Sequence, residues 1–321
     1  MMKENISPKS KIFIAGHRGM VGSAVWLKLK DYNVITRNRA SLDLINQQAV
    51  EDFFELEKPD AVIICAAKVG GILANNTYRA DFIYNNIQIA SNIISSARRH
   101  GVNKLINLGS SCIYPKQCEI PIKEEELLSS KLEPTNESYA IAKIASVKLC
   151  ESFYNQFGSN FYSLMPCNLY GYGDNFNLET SHVLPALMRK IHEAKNSKAK
   201  EIEVWGSGKP LREFLFVDDL ARAIEFCLLN VNAEDIYSKG ISHLNCGSEE
   251  ELSILELTNL ISEVAGYSGD IVFDDTKPDG TFRKKMDNSR ILDLGFSPEV
   301  PLVEGLKLTY KWFQELNYAS E

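Results

Sequence analysis

The chain has 321 residues, 45% of them hydrophobic and 24% charged, so it can bury a sizeable core and is neither disordered nor fibrous. Its formal net charge of −7 excludes a general nucleic-acid binder but leaves room for a local basic pocket around a phosphorylated small molecule. Seven cysteines with no CxxC pair, no membrane-length apolar run and no secretory signal predict reduced thiols in a cytoplasmic protein without a metal site.

In chain order, Lys11–Ala15 reads as a buried strand, followed by a Gly-rich turn and by Val21, Ala24, Val25 and Leu29 at helical spacing. A second short strand falls at Asn33–Thr36, and a helix at 46–56 ends before Pro59. The continuous apolar run 61–67 suits a parallel strand covered on both faces. A long helix at 79–99, a strand at 104–109, a helix at 138–157 and a strand at 160–166 complete the first half. This alternation predicts βαβ units and an α/β fold with a Rossmann-type doubly wound parallel sheet over residues 1–170. After about residue 170, loops at 171–177, 206–210 and 277–280 interrupt helices near 181–195, 218–229 and 253–265. Residues 171–321 are therefore expected to form mainly a smaller, mixed α/β substrate lobe, with some chain returning to the sheet.

The turn Gly16-His17-Arg18-Gly19-Met20-Val21-Gly22 joins the first strand to the first helix. Glycine allows a sharp bend and close approach to a pyrophosphate, which the helix N-terminus then receives. A tight strand–helix turn is the bland reading; its place at the first βα junction favours a dinucleotide. The second strand ends in Thr36-Arg37-Asn38-Arg39, where a site for NAD would carry a carboxylate. Arg37, assisted by Arg18, is placed to pair with a 2′-phosphate, so the expected cofactor is NADP(H). Otherwise both arginines are solvated surface charges.

Tyr139 and Lys143 stand four apart on one helix face, a weak signal by itself. It gains weight from Ser110-Ser111-Cys112 at the carboxyl end of the strand over 104–109, the edge where ligands of such sheets bind. A nearby Lys143 and the nicotinamide charge are together expected to favour the phenolate of Tyr139, Lys143 also to hold the nicotinamide ribose, and Ser110 to hydrogen-bond a reacting carbonyl. This set resembles the extended, sugar-nucleotide-modifying branch of the short-chain dehydrogenase/reductase superfamily. Longer stretches are similar to the family of GDP-L-fucose synthases. They include residues 13–24, Ala66-Ala67-Lys68-Val69-Gly70-Gly71-Ile72, Leu108-Gly109-Ser110-Ser111-Cys112-Ile113-Tyr114-Pro115, Glu133-Pro134-Thr135-Asn136-Glu137, Asn168-Leu169-Tyr170-Gly171, Val204-Trp205-Gly206-Ser207-Gly208 and Lys277-Pro278-Asp279-Gly280-Thr281.

The resemblance implies an NADPH-dependent oxidoreductase with epimerase activity. It would invert C3 and C5 of GDP-4-keto-6-deoxy-D-mannose and then reduce C4 to give GDP-L-fucose. A C4 ketone acidifies the protons on C3 and C5, so the site needs a base and an acid beside the Ser110, Tyr139 and Lys143 set. By the resemblance Cys112 is the base and His182 the acid; by itself each reads as a structural thiol and a helix-start histidine. The resemblance also implies that Gly16 to Gly22, Arg37, Leu108, Gly109, Ser110, Ser111, Lys143, Pro166, Cys167, Asn168, Leu169 and His182 meet the cofactor. Lys190, Trp205, Arg212 and Asp279 would meet the substrate, and a homodimer is expected. Lys190 stands where the family has arginine, Cys167 where it has threonine, Tyr172-Gly173 where it has Pro-His, and Phe216 where it has histidine. A dehydratase is disfavoured by Ser111-Cys112, which replaces the Asp-Glu pair of that class, and a redox-neutral 4-epimerase by the missing carboxylate after the second strand. A relative acting on a dideoxy or heptose GDP-4-keto sugar stays open, and a non-catalytic module is disfavoured because serine, tyrosine and lysine are all present.

Overall fold

Along the first strand, β1 (Lys11–Ala15), side chains alternate between two cores. Ile12 and Ile14 enter one, Phe13 and Ala15 the other. A computed structural model describes residues 6–277 and 279–318. β1 is followed by α1 (Met20–Lys28), β2 (Asn33–Thr36), α2 (Gln47–Glu57), β3 (Ala61–Ile64), α3 (Ile72–Thr77), α4 (Arg79–Arg99), β4 (Lys104–Leu108), α5 (Glu137–Phe157) and β5 (Phe161–Pro166). Then come β6 (Asn168–Tyr170), α6 (Val183–Ser197), β7 (Glu201–Trp205), β8 (Leu211–Phe216), α7 (Val217–Asn230), α8 (Ala233–Tyr237) and β9 (Leu244–Cys246). The chain ends with β10 (Glu251–Ser253), α9 (Ile254–Ala265), β11 (Asp270–Asp274), β12 (Arg283–Lys284), α10 (Ser289–Asp293) and α11 (Leu302–Tyr318).

Six parallel strands form the main sheet in the order β2-β1-β3-β4-β5-β9. All four residues of β3 are buried, as a strand covered on both faces requires. Phe53, Phe54, Ile93 and Ile94 of α2 and α4 cover one face; Val25, Leu220, Ile224 and Leu228 of α1 and α7 cover the other. Each such side chain contributes about 1.5–3 kcal/mol by leaving water. The chain turns one way from β1 to β2 and crosses to the other side for β3, so the crevice of a doubly wound sheet opens between the carboxyl ends of β1 and β3. The expected strand at 61–67 stops at Ile64, because the following residues bend over the glycine turn.

β9 reaches the main sheet from the C-terminal half and pairs with β5, Leu164 against Leu244. A second sheet has the order β10-β8-β12, with β6 also on β8, and β11 pairs with β7. Helices α6, α9 and α11 supply Leu187, Ile191, Leu257, Ile261, Leu306 and Phe313 to its core. Ser253 and Glu256 form a capping box at the start of α9, and Gly266 (φ 70°) ends it. Two sequence departures meet there: the rings of Tyr172 and Phe216 lie edge to face, centroids 5.5 Å apart. Among the described residues no helix is long and apolar enough to cross a membrane.

Candidate active site

At the end of β1 the backbone of Gly16 turns through φ 89°, and a Cβ there would lie 2.7 Å from the Cα of Ala66. A Cβ on Gly22 would lie 2.1 Å from the Gly16 carbonyl oxygen, so helix and turn close on each other only because both are glycine. Gly19 instead is exposed and open, at the N-cap of α1, with no side-chain cap and no acidic residue in the first turn. That leaves the positive end of α1 free to receive an anion. The Nδ1 of His17 is buried without a partner, and burial together with Arg18 lowers the His17 imidazolium. An exposed helix end, an orphaned ring nitrogen and a cradle that a Cβ would fill fit a dinucleotide pyrophosphate held by residues 16–22, with Met20 and Val21 partly buried beneath it.

Arg18 is exposed beside this turn. Arg37 donates to the Thr36 carbonyl (2.9 Å), forms an ion pair with Glu57 and lies 5.5 Å from the centroid of the Phe53 ring. One edge of its guanidinium fork is thus engaged, and the plane is held near the end of β2.

β4 delivers Leu108 and then Gly109, Ser110 and Ser111 to the same edge. A Cβ on Gly109 would lie 2.3 Å from the Cε of Met165, which fixes how closely this turn meets β5. Lys143 is buried and donates to the Leu108 carbonyl (2.7 Å), and its Nζ lies 5.9 Å from the Tyr139 ring centroid. Burial lowers the Lys143 ammonium to about 8. The Tyr139 phenol lies near enough to Ser110 for that hydroxyl to lower its pKa, and its ring packs edge-on against Phe82 of α4 at 6.3 Å. Its pKa does not fall as expected from the lysine. Burial raises it, Cys112 raises it further, and the nearby Ser110 hydroxyl offsets only part. On the neighbouring strand, Pro166 ends β5 and Cys167 is buried, its thiol raised by burial and by Glu213. Asn168 donates to the Glu213 carbonyl (2.9 Å), with Leu169 partly buried beside it.

Cys112 follows Ser110 in a single 3-10 turn and is half-buried; its backbone N–H donates to the Ser110 hydroxyl (3.4 Å). Burial lowers the Arg212 guanidinium, the Asp279 carboxylate offsets part of that, and Cys112 is the next titratable side chain acting on it. Asp279 accepts from the Ser207 N–H (2.8 Å) and hydroxyl (2.7 Å), which ties the loop after β11 to the loop after β7. Trp205 is 65% exposed, with Lys190 and Lys277 at 5.5 and 5.7 Å from its ring centroid. A bare aromatic face between two cations suits an aromatic base carrying phosphates. Pro278 lies outside the described residues.

His182 is the N-cap of α6 and reaches solvent, yet the protein crowded around it lowers its imidazolium. The turn that carries His182 packs against Gly71, from the stretch before α3. The Gly71 N–H donates to the Thr180 carbonyl (3.0 Å), and a Cβ on Gly71 would sit 2.8 Å from the Ser181 carbonyl oxygen. Phe82 beside Tyr139, Gly71 beside Ser181 and Lys277 beside Trp205 have partners far off in sequence, so no local sequence signal assigns them a role. Ser110, Cys112, Tyr139 and Lys143 form one group at the carboxyl edge, while Lys190, Trp205, Arg212 and Asp279 form a second group joined to it through Arg212.

A family model described as NAD dependent epimerase/dehydratase family matches residues 12–247. GDP-L-fucose synthase 1 of Arabidopsis thaliana is 56% identical over 313 residues, covering 96% of this chain and 95% of that protein. The GDP-L-fucose synthase of Escherichia coli (strain K12) is 51% identical over 314 residues, covering 96% of this chain and 97% of that protein. Among solved structures, MlghC, a GDP-mannoheptose C4 reductase from Campylobacter jejuni with NADP bound, is 38% identical with a TM-score of 0.89. It covers 96% of this chain and 99% of that one. The chain therefore belongs to the NAD dependent epimerase/dehydratase family, within its group of GDP-L-fucose synthases.

Proposed function

We propose that the protein converts GDP-4-keto-6-deoxy-D-mannose to GDP-L-fucose by inverting C3 and C5 and then reducing C4 with NADPH. The observation that carries this reading is Cys112 standing two residues beyond Ser110, at the same edge as Tyr139 and Lys143. A simple reductase needs only the last three. The relatives named as GDP-L-fucose synthases support GDP-L-fucose as the product.

Cys112 removes the protons of C3 and C5 in turn, and the negative charge moves onto the C4 oxygen, where the Ser110 hydroxyl donates a hydrogen bond. His182 returns each proton from the opposite face; its lowered pKa makes the imidazolium a readier donor. NADPH, when bound, supplies the hydride for C4. Tyr139 delivers the proton that the C4 oxygen then needs; burial and Cys112 raise its pKa, and Ser110 offsets part of that rise. Lys143 anchors the nicotinamide ribose and keeps a positive charge beneath the site. Arg212 receives the diphosphate, Lys190 and Asp279 frame it, and Trp205 stacks on the nucleotide. We assign residues 1–170 mainly to cofactor and 171–321 mainly to substrate, and a cytoplasmic homodimer on the resemblance alone.

Incubation with NADPH and the keto sugar, followed by NMR of the product, tests the reading. GDP-L-fucose is expected, and a product that keeps the D-configuration at C5 would sink it. The 2′-phosphate is assigned to Arg37 and Arg18. Arg37→Ala is expected to raise the KM for NADPH about tenfold, the size of one charge-assisted contact, with NADH use unchanged. Equal effects on the two cofactors would refute the assignment. Gly71→Ala should push the Ser181 carbonyl and so displace His182. Deuterium exchange at C3 and C5 is expected to slow about 100-fold while reduction of an already epimerised keto sugar holds. Exchange at the wild-type rate would remove Gly71 from the site.

A further inference from the structure

An asparagine at a helix N-cap normally turns its side-chain oxygen onto a backbone N–H of the first turn. Asn136 is the N-cap of α5 and makes no such bond. Glu133 holds the turn in its place, accepting from the backbone N–H groups of Thr135 (3.0 Å) and Asn136 (3.2 Å). The Asn136 amide is left unused, and its Oδ1 is buried with no hydrogen-bond partner. Buried acceptors are rarely abandoned in this way, so the missing donor is one that arrives from outside the chain.

The surroundings say what that donor is. Asn136 lines a cavity of about 230 Å³ together with Cys112, Lys116, Glu133, Phe282 and Lys284. Asn136, Tyr139 and Lys143 also fall on one stripe of α5, at spacings of three and four. The amide therefore belongs to the surface that carries the phenol and the thiol. Cys112, as the base, must reach the two ring carbons flanking the ketone. One of them, C5, bears a methyl group; the other, C3, bears a hydroxyl. An acceptor without a donor matches the hydroxyl.

We propose that Asn136 accepts a hydrogen bond from the C3 hydroxyl of the keto sugar and so selects 6-deoxy sugars that carry this hydroxyl over 3,6-dideoxy sugars. This deepens the reading given above and rests on Cys112 facing the sugar. A site built around one hydroxyl rejects the analogue that lacks it, because its own polar group is then left unpaired.

The test compares GDP-4-keto-6-deoxy-D-mannose with its 3-deoxy counterpart in the wild type, Asn136→Ala and Asn136→Asp. The wild type is expected to favour the 3-hydroxy sugar in kcat/KM by about tenfold or more. Asn136→Ala should lose that factor on the 3-hydroxy sugar and almost nothing on the 3-deoxy sugar. Asn136→Asp keeps an acceptor oxygen and should recover most of the loss. Equal losses on both sugars, or no loss on either, overturn the proposal. A wild type that oxidises NADPH with neither sugar strikes the proposed function instead. Calorimetric binding of the two sugars to wild type and Asn136→Ala then decides the contact: a preference that vanishes in the variant supports it, and one that persists refutes it.

Discussion

Tyr139→Phe is expected to lower NADPH oxidation about 10³-fold while solvent deuterium still enters C3 and C5 of the keto sugar within about tenfold of the wild-type rate. The two activities separate because they ask different things of the C4 oxygen. In epimerisation the oxygen carries enolate charge and needs a hydrogen bond, which Ser110 supplies alone. In reduction it must gain a proton, and the Tyr139 phenol, beside Ser110 and on the stripe of α5 that carries Lys143, is the donor assigned to that step. The substituted ring, lacking only the hydroxyl, would keep its packing on Phe82, so the loss is chemical rather than structural. The pH profile gives a second readout. Lys143 sits at about 8, so its charge is present at neutrality and disappears as the pH rises through that value. The kcat/KM for reduction should therefore fall above about pH 8, well before the buried phenol itself titrates. Joint loss of exchange and reduction in Tyr139→Phe would mean that the phenol also serves the enolate.

Features that depend on near neighbours in sequence are readable without coordinates. The glycine turn is one, because the demands on Gly16 and Gly22 come from a single βα junction. The Tyr139 and Lys143 pairing is another, fixed by helical spacing alone. The direction of the Tyr139 shift is not readable, since counting charges credits the lysine, whereas α4 and the 110–112 turn bury the phenol and reverse the sign. The same reason hides Gly71, whose constraint is a carbonyl at Ser181. Tyr172 and Phe216 look like two unrelated departures in sequence, and in three dimensions they are one aromatic contact. Asn136 is visible only as a letter within a motif. Its meaning comes from a bond it fails to make, and sequence does not record failed bonds.

Cys112→Ser is expected to slow C3 and C5 exchange about 10³-fold. Reduction of a 4-keto sugar already in the L-configuration should stay near the wild-type rate. Serine keeps the shape of the side chain and leaves the backbone bond to Ser110 untouched, but a hydroxyl is far harder to deprotonate than a thiol. The seven cysteines allow an independent check by alkylation. Cys150, Cys167, Cys227 and Cys246 are buried, leaving Cys65, Cys112 and Cys118 within reach. Burial pushes the Cys65 thiol up to about 12, and burial together with Glu126 raises that of Cys118, so both react slowly. Iodoacetamide should therefore stop exchange in the wild type at one fast-reacting thiol, and bound GDP-sugar should protect it. Mass spectrometry should place that adduct on Cys112 and find no fast-reacting thiol in Cys112→Ser. An adduct elsewhere with exchange intact would return Cys112 to the ordinary structural thiols, and with it the separation of epimerase from reductase would fall.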